Sequence, residues 1–290
     1  MSQTHPYALI DSGDGRKLEK FGSFILDRPC AHAVWKKTKP LSTWEQAHGF
    51  FSRDPENRWI FKSKTPSSWD LEEAGLQFHI MPTDFGHLGI FPEQKASWEW
   101  IQNTIKTAPH KNDRVRVLNL FAYSGGSTLA AAKAGAAVCH LDASKGMVAW
   151  ARENALLNDL EKAPIRWIVE DVRKFIAREL KRGSRYEAVI LDPPTFGRGA
   201  KGEFFKIEEE ILSLLADCRQ LLSPDPLFIL FSCHTPGFTP LVMHHLLAQT
   251  MEGAGGLVES GEMVLEGNSK TFDLPSGSYS RWIQHAHHTP

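Results

Sequence analysis

Asp192-Pro193-Pro194-Thr195-Phe196 follows the apolar run Ala188-Val189-Ile190-Leu191. The run reads as a buried strand, and two consecutive prolines, which have no N–H for a ladder, must end it. They hold the following loop extended, so the Asp192 carboxylate is fixed at the carboxyl edge of a sheet, the ligand crevice of open α/β folds. An acid held there beside an aromatic ring could hydrogen-bond the polar edge of a flat substrate. Taken alone, the stretch also reads as a Pro-rich turn without chemistry.

Cys233 is a second reactive candidate. Leu227 to Phe231 reads as a buried strand, and Ser232-Cys233-His234-Thr235-Pro236-Gly237 as the loop at its carboxyl end. Consecutive strands tend to be neighbours, which puts the thiol beside Asp192. A thiolate there could add to a ring carbon and make its neighbour nucleophilic, and His234 could help deprotonate it. A small buried cysteine with no chemistry fits the same position. Cys30, Cys139 and Cys218 are scattered without metal-ligand spacing, so no metal is expected; Cys139 and Cys218 read as core.

Three further strand ends carry polar residues. Arg116 to Phe121 reads as a strand, Ala122-Tyr123-Ser124-Gly125-Gly126-Ser127-Thr128 as a tight turn, and Leu129 onward as a helix that packs on a sheet. Strand, glycine turn and helix form a nucleotide cradle, although a plain turn explains two glycines equally well. The strand Ala137 to Leu141 ends in Asp142, placed to accept both hydroxyls of a ribose. The strand Ile165 to Val169 leads to Asp171, which could accept an adenine amino group or simply cap the next helix. An adenosine with a sulfonium tail fits this set better than a dinucleotide, whose pyrophosphate would need the helix terminus.

Asn119-Leu120-Phe121-Ala122-Tyr123-Ser124-Gly125-Gly126, with Asp142, Asp171 and Asp192-Pro193-Pro194-Thr195-Phe196, resembles the class I S-adenosylmethionine-dependent methyltransferases. The likeness runs from about Thr83 to the carboxyl terminus and is similar to bacterial 23S ribosomal RNA methyltransferases acting on cytosine carbon-5 or guanine. It implies S-adenosyl-L-methionine as cofactor, held by Phe121, Tyr123, Ser124, Gly125, Gly126, Asp142, Ala143, Asp171, Val172 and Asp192. Gly89-Ile90-Phe91-Pro92-Glu93-Gln94 matches the family segment that closes over the cofactor, which adds Phe91 and Gln94; family members continue with arginine, this chain with Lys95. Pro193, Pro194, Thr195 and Phe196 are the implied substrate contacts, and Asp192 and Cys233 the implied catalytic pair. Phe231-Ser232-Cys233 resembles the cytosine enzymes, which then read Ser-Gly where this chain has His234-Thr235. The implied fold is a doubly wound, mostly parallel seven-stranded sheet preceded by a small β-rich domain.

What positions these residues must come from the rest of the chain. In 290 residues there is room for one large or two modest domains. Short apolar stretches broken by turns at Asp11–Gly15, Thr65–Ser68 and Met81-Pro82 mark residues 1–80 as β-rich; residues 81–290 alternate strand and helix. Later strands are expected at Leu227 to Phe231, Gly256 to Val264 and Ser280 to Ile283, and helices at Glu203 to Leu222 and Phe238 to Glu252. No apolar run approaches a membrane span and the polar start is no signal peptide, so a cytoplasmic protein is expected. Net charge is −1, yet from Arg16 to Lys64 eleven Lys and Arg face five Asp and Glu, with eight aromatics interleaved. That segment could grip RNA phosphates and stack bases, or be a small domain with a solvated basic face and an aromatic core.

Overall fold

The computed structural model describes residues 6–54, 56–62, 65–108, 114–198, 202, 204–268 and 270–284. His287-His288 and the chain start lie outside them. The chain divides into two compact units, Met1–Ala96 with Val264–Ser276, and Ser97–Met263 with Gly277–Pro290.

The first unit is built on a five-stranded sheet, β1 (Ala8–Gly13), β2 (Arg16–Phe21), β3 (Phe24–Pro29), β4 (Gly49–Ser52) and β5 (Arg58–Phe61), in sequence order. Asp14 and Gly15 make the β1–β2 turn, both with left-handed backbone (φ 51° and 74°). Asp11, expected in that turn, is instead buried on β1, where it accepts from Thr38, Lys39 and the Trp44 indole. A short helix α1 (Leu41–Trp44) precedes β4, which joins β3 in parallel. A hairpin of β6 (Trp69–Glu73) and β7 (Leu76–Ile80) follows. Phe21, Trp44 and Phe51 are buried, so part of the aromatic segment is core. Arg28 is buried too, forked onto Glu19 at 2.7 and 2.8 Å. Arg53, Arg58, Lys62 and the ring of Phe61 remain exposed.

The second unit holds a seven-stranded sheet ordered β10-β9-β8-β11-β14-β16-β15: β8 (Arg116–Leu120), β9 (Ala137–Asp142), β10 (Ile165–Val169), β11 (Ala188–Leu191), β14 (Phe228–Cys233), β15 (Leu257–Leu265) and β16 (Leu274–Ile283). The first five in that order run parallel, and β16 is antiparallel to β14. Every residue of β11 and β14 is buried, as expected of strands covered on both faces. One face carries Leu118, Leu141, Leu191, Ile229 and Phe231 against α5 (Val172–Arg182), α6 (Ile207–Gln220) and α7 (Pro240–Thr250). On the other lie α2 (Lys95–Thr107), whose Trp100 ring meets Phe228, and α3 (Gly126–Lys133), bonded to Asn119. Between β9 and β10 runs α4 (Lys145–Leu157). The order reverses between β8 and β11, a topological switch point.

Two elements depart from the sequence reading. Residues Phe204–Lys206, expected as the start of a helix, form β13 and pair with β12 (Phe196–Arg198), because that register leaves Phe205 free to enter the core. The last strand begins at Leu274, six residues before the apolar pattern reveals it, since Pro275 and Gly277 break the alternation. Among the described residues no helix is long and apolar enough to cross a membrane.

Burial alone would raise the Glu19 pKa, but Arg28 and then Lys17 hold it below the ordinary glutamate value. Arg28→Met should therefore strip a buried carboxylate of its bidentate partner, leaving it Lys17 and the Tyr7 hydroxyl, and destabilise the first unit by roughly 3 kcal/mol, read by urea unfolding.

Candidate active site

The carboxyl ends of β8, β9, β10, β11 and β14 bring most of the candidate residues to one edge of the sheet. After β8 the chain turns through Phe121 (φ 54°), Tyr123 (φ 49°) and Gly125 (φ 95°). Left-handed backbone at two non-glycine residues costs about 1–3 kcal/mol each and needs support. Asp142 supplies it, its Oδ2 accepting the Tyr123 N–H at 2.9 Å. The Ala122 N–H donates to the Leu141 carbonyl, and the Asn154 amide donates to the Ser124 carbonyl at 2.9 Å. The other Asp142 oxygen accepts from the Ser144 N–H at 2.8 Å, across half-buried Ala143. Burial raises the Asp142 pKa above the ordinary aspartate value, against the lowering by these two N–H groups.

The two glycines do different things. Gly125 caps α3, and a Cβ there would lie 3.0 Å from the Ala151 methyl on strained backbone. A Cβ on Gly126 would lie 2.7 Å from the Trp98 ring, so the second glycine is required by helix packing. Beneath them Asn119 donates to the Thr128 hydroxyl at 2.9 Å, and that hydroxyl contacts His140 Nδ1 at 2.9 Å. His140 is wholly buried, and burial, followed by the charge of Arg152, pushes its pKa down to about 3.

Asp171 is the N-cap of α5, accepting from the Arg173 and Lys174 N–H groups, and it also receives the Arg173 guanidinium. Arg173 reaches on to Glu210 and to the Phe204 carbonyl. Val172 is core.

Leu191 on β11 is level with Phe231 on β14, which sets Asp192 beside the Ser232-Cys233 segment. Asp192 is half-buried, 3.5 Å from His234 Nδ1. The Thr195 and Thr235 hydroxyls share a 2.8 Å hydrogen bond that ties the two loops together. Pro193 is buried, Pro194 exposed, and Phe196 is 58% exposed. Cys233 shares the core face with Ile229 and Phe231, and its sulfur accepts from the Thr235 N–H at 3.4 Å. Burial raises the thiol pKa, against the lowering by Thr235.

Phe91 and Gln94 belong to the first unit, Phe91 facing the His87 ring and Gln94 buried in a short 3-10 turn. Phe91 lines a cleft of about 170 Å³ together with Lys17, Arg28, Arg53 and Phe85. Lys95, where the family has arginine, pairs with buried Glu73 at 2.8 Å. The sequence reading missed Thr235, Arg173, Asn154 and His140; only the hydrophilic break of His140 in an apolar strand could have pointed to one of them.

The unfolded His140 ring takes up a proton near pH 6.5 and the folded ring near 3, so between these values the unfolded state binds more protons. Stability should thus be full above pH 6.5 and fall with acidification, by up to about 1.4 kcal/mol per pH unit from this group. Urea unfolding from pH 7 to 5 should show a shallower pH slope in His140→Gln.

The sequence profile of the S-adenosylmethionine-dependent methyltransferases matches residues 48–257. A solved S-adenosylmethionine-dependent methyltransferase from Agrobacterium tumefaciens is 42% identical, with a TM-score of 0.91 over 98% of this chain and 92% of that one. Ribosomal RNA large subunit methyltransferase K/L of Hahella chejuensis is 33% identical over 57% of this chain and 22% of its own length. Its counterpart in Pseudoalteromonas translucida is 29% identical over 63% of this chain and 25% of its own. The chain thus spans a quarter or less of these curated relatives. With the matched profile, the whole-chain likeness and the acid-tipped sheet edge together, the chain belongs to the S-adenosylmethionine-dependent methyltransferase family.

Proposed function

We propose that this protein methylates a base of ribosomal RNA in the cytoplasm, with the base received at the Asp192–Phe196 loop. The observation that carries this reading is a half-exposed carboxylate at the switch-point edge of the sheet, beside a solvent-facing aromatic ring on the same loop. The names of the curated relatives support a ribosomal RNA substrate.

The residues fit the cofactor. The strained turn Phe121–Gly126 offers backbone without bulky side chains at Gly125, and each Asp142 oxygen, already holding one N–H, keeps lone pairs for ribose hydroxyls with Ala143 alongside. Asp171 and Val172 take the adenine. When bound, S-adenosylmethionine supplies an electrophilic methyl group on a sulfonium.

The acceptor atom must then present an electron pair. A base nitrogen needs only an amine held by Asp192 and a loop that shapes the slot, and burial of the Cys233 thiol favours this chemistry. Cytosine carbon-5 is the second reading, favoured by the place of Cys233 next to Asp192. There the thiolate would add to carbon-6, carbon-5 would take the methyl group, and loss of the carbon-5 proton would expel the thiolate. Exposed Arg53, Arg58 and Lys62 of the first unit are available to RNA phosphates.

Two measurements test this. Asp142→Ala should weaken binding of the demethylated cofactor by about 2–4 kcal/mol in calorimetry. Because ribose hydroxyls donate to the carboxylate, wild-type affinity should fall as pH drops through the raised Asp142 pKa, and Asp142→Asn should flatten that profile. Incubation with radiolabelled cofactor should label 23S ribosomal RNA, and Asp192→Ala should lower turnover by about 100-fold or more. Wild-type turnover in Cys233→Ala would select the base nitrogen, while a Cys233-dependent adduct with 5-fluorocytidine RNA would select carbon-5. No label in RNA overturns the proposal.

A further inference from the structure

The Phe204 ring, on the hairpin that follows the Asp-Pro-Pro loop, has no part in the site so far. Phe196 and Phe204 are 58% and 51% exposed, among the large apolar side chains that the described structure leaves open. Phe196 lies opposite Lys206 and Phe204 opposite Arg198, so the two rings sit diagonally on one face of the hairpin. Their planes are 28° apart and their centroids 6.2 Å, a stacked, near-parallel pair with both rings more than half exposed.

The hairpin is firmly anchored. Phe205, on its other face, is buried against the Phe121 ring at 5.2 Å. The Phe204 carbonyl accepts from Arg173 at 3.1 Å, and the Ile207 N–H donates to the Thr195 carbonyl. Exposed rings on an anchored hairpin, contiguous in the chain with the substrate loop, are positioned to meet the substrate.

We propose that Phe196 and Phe204 form a stacking platform for an unpaired nucleotide adjoining the target base, with Phe204 as a positioning residue; this rests on the RNA reading above. Two rings are far too small a patch for a stable protein interface, which needs about 800 Å² per partner. A single base matches their size and shape, and every base has a face to stack. The charges nearby sharpen the inference. Among the described side chains nearby, Lys206 is engaged by Glu208 and Glu209, and Arg173 by Asp171 and Glu210. Binding at the Phe204 ring is by stacking, and the contribution of that ring is independent of salt, unlike phosphate contacts.

The test uses the full-length protein and a short single-stranded RNA carrying 2-aminopurine between uridines. Wild type should quench its fluorescence, and Phe204→Ala should bind it about 5- to 100-fold more weakly, by the same factor at low and high salt. With ribosomal RNA as substrate, KM should rise with little change in kcat. Phe204→Trp should restore both readouts and Phe204→Leu should not, while calorimetry with the demethylated cofactor should give wild-type affinity for all three. Unchanged RNA affinity in Phe204→Ala overturns the platform even if wild type methylates RNA. Full rescue by leucine, or a salt-dependent loss, overturns stacking. Failure of wild type to methylate any RNA removes the reading on which it rests.

Discussion

A single carboxylate tie governs the catalytic edge. Asp142 closes the tip of β9 onto the Tyr123 N–H, and that bond holds a turn whose backbone would not otherwise stay in the left-handed region at two side-chain-bearing residues. The same oxygen pair fixes the start of the next helix through Ser144. Relaxation of the turn would move Phe121, and with it the Phe205 contact that seats the β12–β13 hairpin. The tip of β9 and the Asp192–Phe196 loop are thus parts of one supported structure.

The acids of this edge share a logic. Asp142 is held by two backbone N–H groups, Asp171 by a helix N-terminus and Arg173, and Asp192 lies beside His234. Asp142 and the Oδ2 of Asp171 are oriented by donors that take only part of their hydrogen-bonding capacity. Acceptors arranged in advance require little reorganisation when a ligand arrives, which is the basis of electrostatic preorganisation. Asp171 is accordingly both a helix cap and a candidate adenine acceptor, two roles that do not exclude each other.

Much of this edge was legible in the sequence because parallel strands covered on both faces appear as unbroken apolar runs. Ala188–Leu191 and Phe228–Phe231 could hardly be anything else, and Asp192 after the first run had to lie at a strand tip, whereas Ser232 and Cys233, read as loop, are the last two residues of β14. Long-range packing was not legible. Gly126 reads as a cofactor glycine with no sign of the Trp98 ring that lies against it, and His140 shows no sign of Thr128 in its local pattern. The aromatics between Arg16 and Lys64 look alike in sequence, yet Phe21, Trp44 and Phe51 are core whereas Phe61 is open, because a five-stranded sheet has an inside and an outside that composition does not record. The β12–β13 hairpin escaped notice since three-residue strands carry too little periodicity to register.

The path of the chain has its own consequence for how the molecule is made. Residues Val264–Ser276 return to the first unit, where Leu265 and Leu274 complete a small core with Leu9 and Ala33. During synthesis those amino-terminal side chains leave the ribosome long before the residues that cover them. The first unit therefore cannot finish folding as an autonomous early piece. Its core is completed only once residues 264–276 have been made, through contacts of high sequence separation.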